Sequence, residues 1–157
     1  MYIFLQKLMK TIKIPPPILV IILTSLVYFS STKLELIYLP YRQIVSIIIL
    51  IIGLIVIVSP VVDFMKSKTT VNPVKFKNVN RLVTTGIYRY SRNPMYLGMI
   101  LIIISTTVYY LNFLSVFSPL IFYIWINKFQ INREEIFLED KFGREYLEYK
   151  SKTRRWI

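Results

Sequence analysis

Glu134 and Glu135 stand side by side just beyond an uncharged block that runs from Asn93 to Asn127. Carboxylates at such an apolar boundary are costly unless partnered, and a cationic ligand is one such partner. Adjacent glutamates are also common on solvated helix faces, so the pair alone decides little. A second cluster precedes the same block: Ile87-Tyr88-Arg89-Tyr90-Ser91-Arg92-Asn93-Pro94-Met95-Tyr96. On spacing alone its tyrosines read as an interfacial aromatic belt and its arginines as anchors to lipid headgroups. The sequence contains no histidine and no cysteine. That excludes His-ligated metals, Ser–His and Cys–His nucleophiles, and any disulfide framework.

The elements that must carry these residues are long apolar blocks. The chain has 157 residues, 55% of them hydrophobic, which exceeds what a soluble domain of one core usually holds. Ile14 to Thr32 is uncharged and opens on Pro15-Pro16-Pro17; Gln43 to Val62 is almost pure Ile, Leu and Val around Gly53. Asn93 to Asn127, at 35 residues, would be about 50 Å long as one helix, against a hydrocarbon core of about 30 Å. Two short spans joined by a turn at Leu111-Asn112-Phe113 fit better. The reading is one all-α membrane domain over residues 1–157 with about four transmembrane helices, near 15–32, 43–62, 94–111 and 113–128. A cytoplasmic loop at 66–92 and a cytoplasmic tail at 129–157 complete it. A cleaved signal peptide fits the first block poorly, since no small-residue cleavage site follows.

Charge gives the orientation. The lead before the first block carries three Lys/Arg, the second connection seven and the tail counted from Lys128 eight, so 18 of the 20 fall on one side of a four-span protein. The positive-inside rule makes that side cytoplasmic and places both termini there, in the cell membrane. The net charge of +12 then reflects topology and contact with anionic headgroups, and no nucleic-acid partner is expected. Residues 1–13 carry no functional signal.

The two polar stretches differ. Lys66 to Arg92 is loop-like, with turns at Asn72-Pro73 and Thr85-Gly86, and ends on Asn93 as a potential helix N-cap before Pro94. Six of the eight acidic residues lie in the tail, where Ile131, Leu138, Phe142, Tyr146 and Tyr149 recur at helical spacing. An amphipathic helix is expected to continue from the fourth span, weakened at Gly143, with surface pairs such as Lys141/Glu145 and Glu148/Lys152.

Arg81-Leu82-Val83-Thr84-Thr85-Gly86-Ile87-Tyr88, then Arg92-Asn93-Pro94-Met95-Tyr96-Leu97-Gly98, an uncharged hairpin, Arg133-Glu134-Glu135, Phe142-Gly143, Tyr146 and Tyr149 follow one another in order. Each short motif is unspecific, but the ordered set resembles the isoprenylcysteine carboxyl methyltransferase and phospholipid methyltransferase group of integral-membrane enzymes, over roughly Thr69 to Arg155. The resemblance implies S-adenosylmethionine as cofactor, held at the cytoplasmic ends of the last two spans under the tail. Asn80, Arg81, Leu82, Val83 and Tyr88 would line its pocket with Asn93, Pro94, Met95 and Tyr96. Glu134 would bind it with Glu135 alongside, and Arg81 or Arg92 would take its carboxylate. A sulfonium and an ammonium suit carboxylates and tyrosine faces. No Gly-rich dinucleotide fingerprint is present.

Two positions depart from the group's pattern. Asn93 stands where many members have histidine, so hydrogen bonding survives there but titration near neutral pH does not. Gln130 stands where prenylcysteine enzymes carry a substrate-side arginine, which weakens that substrate assignment; it is the candidate substrate-binding residue. The implied function is methyl transfer to a lipophilic, membrane-borne small molecule, either an isoprenoid carboxylate or a lipid headgroup, reached from the bilayer. No catalytic base is assigned: a carboxylate acceptor needs none, and for an amine only Glu134, Glu135 or a tyrosine is on hand. A non-enzymatic membrane protein, or a family member that keeps the fold without turnover, is the alternative.

Overall fold

A computed structural model of the chain describes residues 14–35, 37–66 and 82–157. The sequence features at 1–13, Asn72-Pro73, Asn80 and Arg81 lie outside the described residues. Every element among the described residues is helical: α1 (Pro16–Ser31), α2 (Arg42–Lys66), a 3-10 turn (Gly86–Arg89), α3 (Pro94–Tyr109), α4 (Phe117–Trp125), a π-helical turn (Ile126–Ile131), α5 (Asn132–Phe142) and α6 (Arg144–Lys152).

Local chemistry sets these bounds. Pro16 and Pro94 sit in first turns, where the missing N–H costs nothing. Ser30, Ser31 and Thr32 close α1 by donating their hydroxyls to the carbonyls of Val27, Tyr28 and Phe29 at 2.7–2.8 Å. Gly143 adopts φ +51°, which ends α5 and turns the chain into α6. The break decides the tail's ion pairs. Arg144 pairs with Glu148 at 3.5 Å and Lys150 with Glu139 at 3.2 Å, in place of the expected Lys141/Glu145 and Glu148/Lys152. Lys141 and Glu145 lie on opposite sides of Gly143, and Glu148 is taken by Arg144.

α2 and α3 pack closely because glycines meet between them. A Cβ on Gly98 would strike Ile57 and lie 2.7 Å from the Gly53 carbonyl, so backbones rather than side chains set the spacing. Ser105 Oγ donates to the Ser46 carbonyl across the same interface at 2.7 Å. Leu19 and Leu23 of α1, Tyr96, Met99 and Ile103 of α3, Phe122 of α4, and Ile126 and Ile131 form one core. The outward faces of α1 and α2 are apolar instead of polar, with Ile21, Phe29, Ile44 and Ile55 each about 60% exposed. Small polar residues (Ser46, Ser105, Thr107, Asn112, Ser115) are buried. α2 from Arg42 to Asp63 is the one helix among the described residues long and apolar enough to cross a bilayer, with an 18-residue stretch of mean hydropathy 3.2; α1 and α3 are apolar but shorter.

The two ends of the bundle are distinct. At one, Ile37 N–H donates to the Leu111 carbonyl at 2.7 Å and Asn112 Nδ2 to Ser30 Oγ at 3.0 Å, so the α1–α2 and α3–α4 connections meet. Asn112 is fully buried there, and its Oδ1 accepts the N–H groups of Leu114 and Ser115, both at 3.0 Å. The other end gathers the close of α2, the 3-10 turn, the start of α3, the π turn and α5.

Candidate functional site

The approach to α3 is pinned from several sides. Asp63, near the end of α2, accepts the Ile87 N–H at 3.0 Å. Gly86 lies directly over that carboxylate with φ +61°, a position where any Cβ would collide with Asp63. The Tyr149 hydroxyl of α6 donates to the Tyr88 carbonyl at 2.7 Å. Asn93 holds the N-cap position of α3, but its side chain does not cap the helix. Its Nδ2 donates instead to the Arg155 carbonyl at 2.9 Å, while Ser91 Oγ accepts the Asn93 N–H at 3.1 Å.

The π turn brings the opposite wall into place. Hydrogen bonding from i to i+5 lets residues five apart share a face, and Ile126 and Ile131 are both buried in the core. Gln130 and Glu134 follow on the side facing α3. Tyr96 OH donates to Glu134 Oε1 at 2.6 Å and Gln130 Nε2 donates to the same oxygen at 2.7 Å. Among the described residues both of these bonds end on Oε1, and both donors are neutral. Burial holds the Glu134 carboxyl above the usual carboxylate range. The bonds from Tyr96 and Gln130, and the charge of Arg133, pull the other way without cancelling it. Tyr88 is close enough for Glu134 and Asp63 both to add to the effect of burial, and of Tyr149, in raising its hydroxyl.

Glu135 points elsewhere and is neutralised. Arg92 Nη2 meets its Oε1 at 3.0 Å, and Arg155 grips both oxygens, Nε to Oε1 at 3.0 Å and Nη2 to Oε2 at 2.7 Å. The Glu135 and Arg92 side chains are each 9% exposed, and Arg155 is 35% exposed. Arg92 also donates to the Lys150 carbonyl at 3.2 Å, while its buried Nε has no partner among the described residues. Successive residues on a helix point about 100° apart, so Glu134 faces Tyr96 of α3 while Glu135 faces Arg92 and Arg155.

The expected site residues therefore separate into groups. Tyr96, Gln130 and Glu134 share a hydrogen-bond network, with Tyr88 in electrostatic reach. Val83 and Pro94 are buried, and Leu82 and Met95 are partly buried. Arg92, Asn93 and Glu135 are engaged with the tail. Sequence reasoning missed Arg155, Trp156, Asn127 and Asp63. The isolated acid at the end of the second apolar block, one of only two acidic residues outside the tail, was the available signal for Asp63. Nothing local marked the tail residues. Beside Asp63, an apolar groove of about 580 Å³ runs along α2, lined by Leu54, Ile55, Val58, Val62 and Ile87.

The sequence model of the phospholipid methyltransferase family matches residues 41–145, well over half of the chain. A probable protein-S-isoprenylcysteine O-methyltransferase of Oryza sativa is 34% identical over 110 residues, covering 69% of this chain and 57% of that protein. The protein-S-isoprenylcysteine O-methyltransferase of Saccharomyces cerevisiae is 45% identical over 75 residues, 46% of this chain and 30% of that protein. An uncharacterized protein of Haemophilus influenzae is 49% identical over 63 residues, 40% of this chain and all of that protein. The chain thus spans little more than half the length of the rice protein and less of the yeast one. On the extent of the family match, the chain belongs to the phospholipid methyltransferase family.

Proposed function

We propose that this protein is an integral-membrane methyltransferase that moves a methyl group from S-adenosylmethionine to a lipophilic small molecule drawn from the bilayer. The observation that carries the reading is Glu134, a buried carboxylate held by two neutral donors, Tyr96 and Gln130. A carboxylate desolvated in this way gains most from a cationic ligand, which adds to the effect of Arg133 the direct charged partner its two neutral donors are not. Glu134 would take the ligand's cationic portion, Tyr88 and Tyr96 would offer ring faces, and Leu82, Val83 and Met95 an apolar wall. The two guanidiniums on Glu135 leave a net positive charge, which suits a ligand carboxylate nearby. When bound, S-adenosylmethionine supplies an electrophilic methyl group. The residues around it align, exclude water and match charge, which is what direct displacement requires.

Several features support four membrane spans with this site on the cytoplasmic side. The α1–α2 and α3–α4 connections share one end, 18 of 20 basic residues assign to the other, and the flanks are apolar. Helices of 16 residues, about 24 Å, match a bilayer that thins locally or flanking residues that snorkel. The groove along α2 offers an aliphatic chain a place beside Asp63 and Ile87. An isoprenoid carboxylate and a lipid headgroup amine are both within this reading. Gln130, spent on Glu134, presents no charge to an acceptor carboxylate.

The test is transfer itself. Membranes containing the protein, given methyl-labelled S-adenosylmethionine, should place label in lipid-extractable material, and those containing Glu134→Ala should not. Equal labelling by both would refute the assignment of Glu134, and labelling by neither would favour a non-catalytic family member.

A further inference from the structure

After α6 the chain becomes extended at Thr153 and runs as a strap over the site end of the bundle. It ties three elements together. At the start of α3, Arg92 N–H donates to the Arg154 carbonyl at 3.1 Å and Asn93 Nδ2 to the Arg155 carbonyl at 2.9 Å. At the first turn of α5, the Arg155 guanidinium grips Glu135. At the π turn after α4, Trp156 Nε1 and Arg155 Nη1 donate to Asn127 Oδ1 at 3.2 and 3.4 Å, and the Trp156 ring lies 5.2 Å from that of Tyr123 of α4.

The segments that the strap joins are those that carry the Tyr96–Glu134 pair. Asn93 is within one turn of Tyr96, and Glu135 is the neighbour of Glu134. We propose that Arg155 is a positioning residue: its ion pair with Glu135 locks the strap shut and keeps Tyr96 and Glu134 assembled, and release of the lock opens the site. The lock is separable because Glu135 has two guanidiniums. If Arg155 leaves, the buried carboxylate keeps Arg92, and Arg155, already 35% exposed, returns to water. Losing one of two partners costs far less than stranding a buried charge. Asn93 takes a second role here, as the donor that fastens the strap's backbone. The inference rests on Glu134 as the ligand carboxylate.

The chain has two tryptophans, so Trp125→Phe leaves Trp156 as the only indole and makes its fluorescence a report on the strap. Acrylamide quenching and calorimetric titration with S-adenosylhomocysteine would be measured in this parent, in Arg155→Gln and in Arg155→Lys, all in detergent. In Arg155→Gln, quenching should rise severalfold. Affinity should fall about tenfold if the closed strap is populated a tenth of the time. Arg155→Lys should recover part of both. Unchanged quenching in Arg155→Gln would overturn the lock. Raised quenching with unchanged affinity, while Glu134→Ala still weakens binding, would overturn the positioning role. Should Arg155→Gln fail to fold, Asn127→Leu loosens the strap from its other attachment and is judged by the same two readouts. A parent that binds no S-adenosylhomocysteine would remove the functional reading, and the quenching comparison alone would then decide the lock.

Discussion

The two ends of this bundle solve the same problem, burying polar groups in an apolar protein, in opposite ways. At the hairpin end, Asn112 accepts two backbone N–H groups and donates to Ser30 Oγ and the Tyr110 carbonyl, while Ser115 Oγ accepts the Asn112 N–H and donates to its carbonyl. Every named group is neutral and the turn is closed on itself. At the site end, Glu135 is neutralised by two guanidiniums, whereas Glu134 is held, among the described residues, by the neutral donors Tyr96 and Gln130. A saturated neutral knot makes a stable turn and offers nothing to a ligand. A carboxylate held by neutral donors costs stability and would gain from a cation. That difference is the ground on which the proposed site rests.

Asn112→Ala should break the comparison at its structural end. It takes a partner from four groups at once, one buried and three partly buried, for a loss on the order of 3 kcal/mol in stability. Any folded fraction should bind ligand as the parent does; thermal unfolding with and without S-adenosylhomocysteine measures both. Glu135→Gln should be the next largest. It leaves two guanidiniums facing a neutral amide, one of them buried, at about 3 kcal/mol, tempered because Arg155 is partly exposed. Unlike Asn112→Ala, it should also weaken binding, because the strap loses its anchor.

A smaller effect sharpens the contrast by pH. Burial raises the Glu134 carboxyl above its ordinary value of 4.5. The fold then holds that proton more tightly than the unfolded chain does. Stability owed to the protonated form is complete below 4.5 and declines as pH rises through the raised value. Unfolding of Glu134→Gln followed over this range should lack that decline. Ligand affinity of the parent should rise over the same window, since a cation needs the ionised carboxylate. A position that costs no stability tests orientation. Phe113 is 71% exposed at the hairpin end, whereas Asn112 is buried and structurally committed. Phe113→Cys, in a chain without other cysteines, should react with an impermeant maleimide only from outside sealed cells. Labelling from the cytoplasmic side alone would contradict the four-span arrangement.

The apolar blocks were legible because hydrophobicity is local. Expected spans at 15–32, 43–62 and 94–111 correspond to helices Pro16–Ser31, Arg42–Lys66 and Pro94–Tyr109. The block at 113–128 became a nine-residue helix followed by a π turn, because widening there puts both Ile126 and Ile131 in the core. Spacing at 3.6 residues per turn does not show that. Partner choice was not legible from spacing at all. Tyr96 and Glu134 lie 38 residues apart and were brought together only by the family resemblance. Asn93 looked like a helix cap, yet its amide serves the strap, because Arg155 arrives from 62 residues away to present a carbonyl. Glu135 was expected beside Glu134 at the ligand; that its direction on the helix places it between two arginines was not visible in the sequence.

The central claim, that Glu134 is the ligand carboxylate of the site end, is tested most directly by calorimetric titration of S-adenosylmethionine into detergent-purified protein and into Glu134→Ala. Losing a charge-assisted contact worth about 1.5–3 kcal/mol weakens binding by roughly 10- to 100-fold. The account predicts clear binding by the parent and a loss of that size in a variant with unchanged helix content. Equal affinity in the two proteins, or no binding by a monodisperse parent, would contradict it.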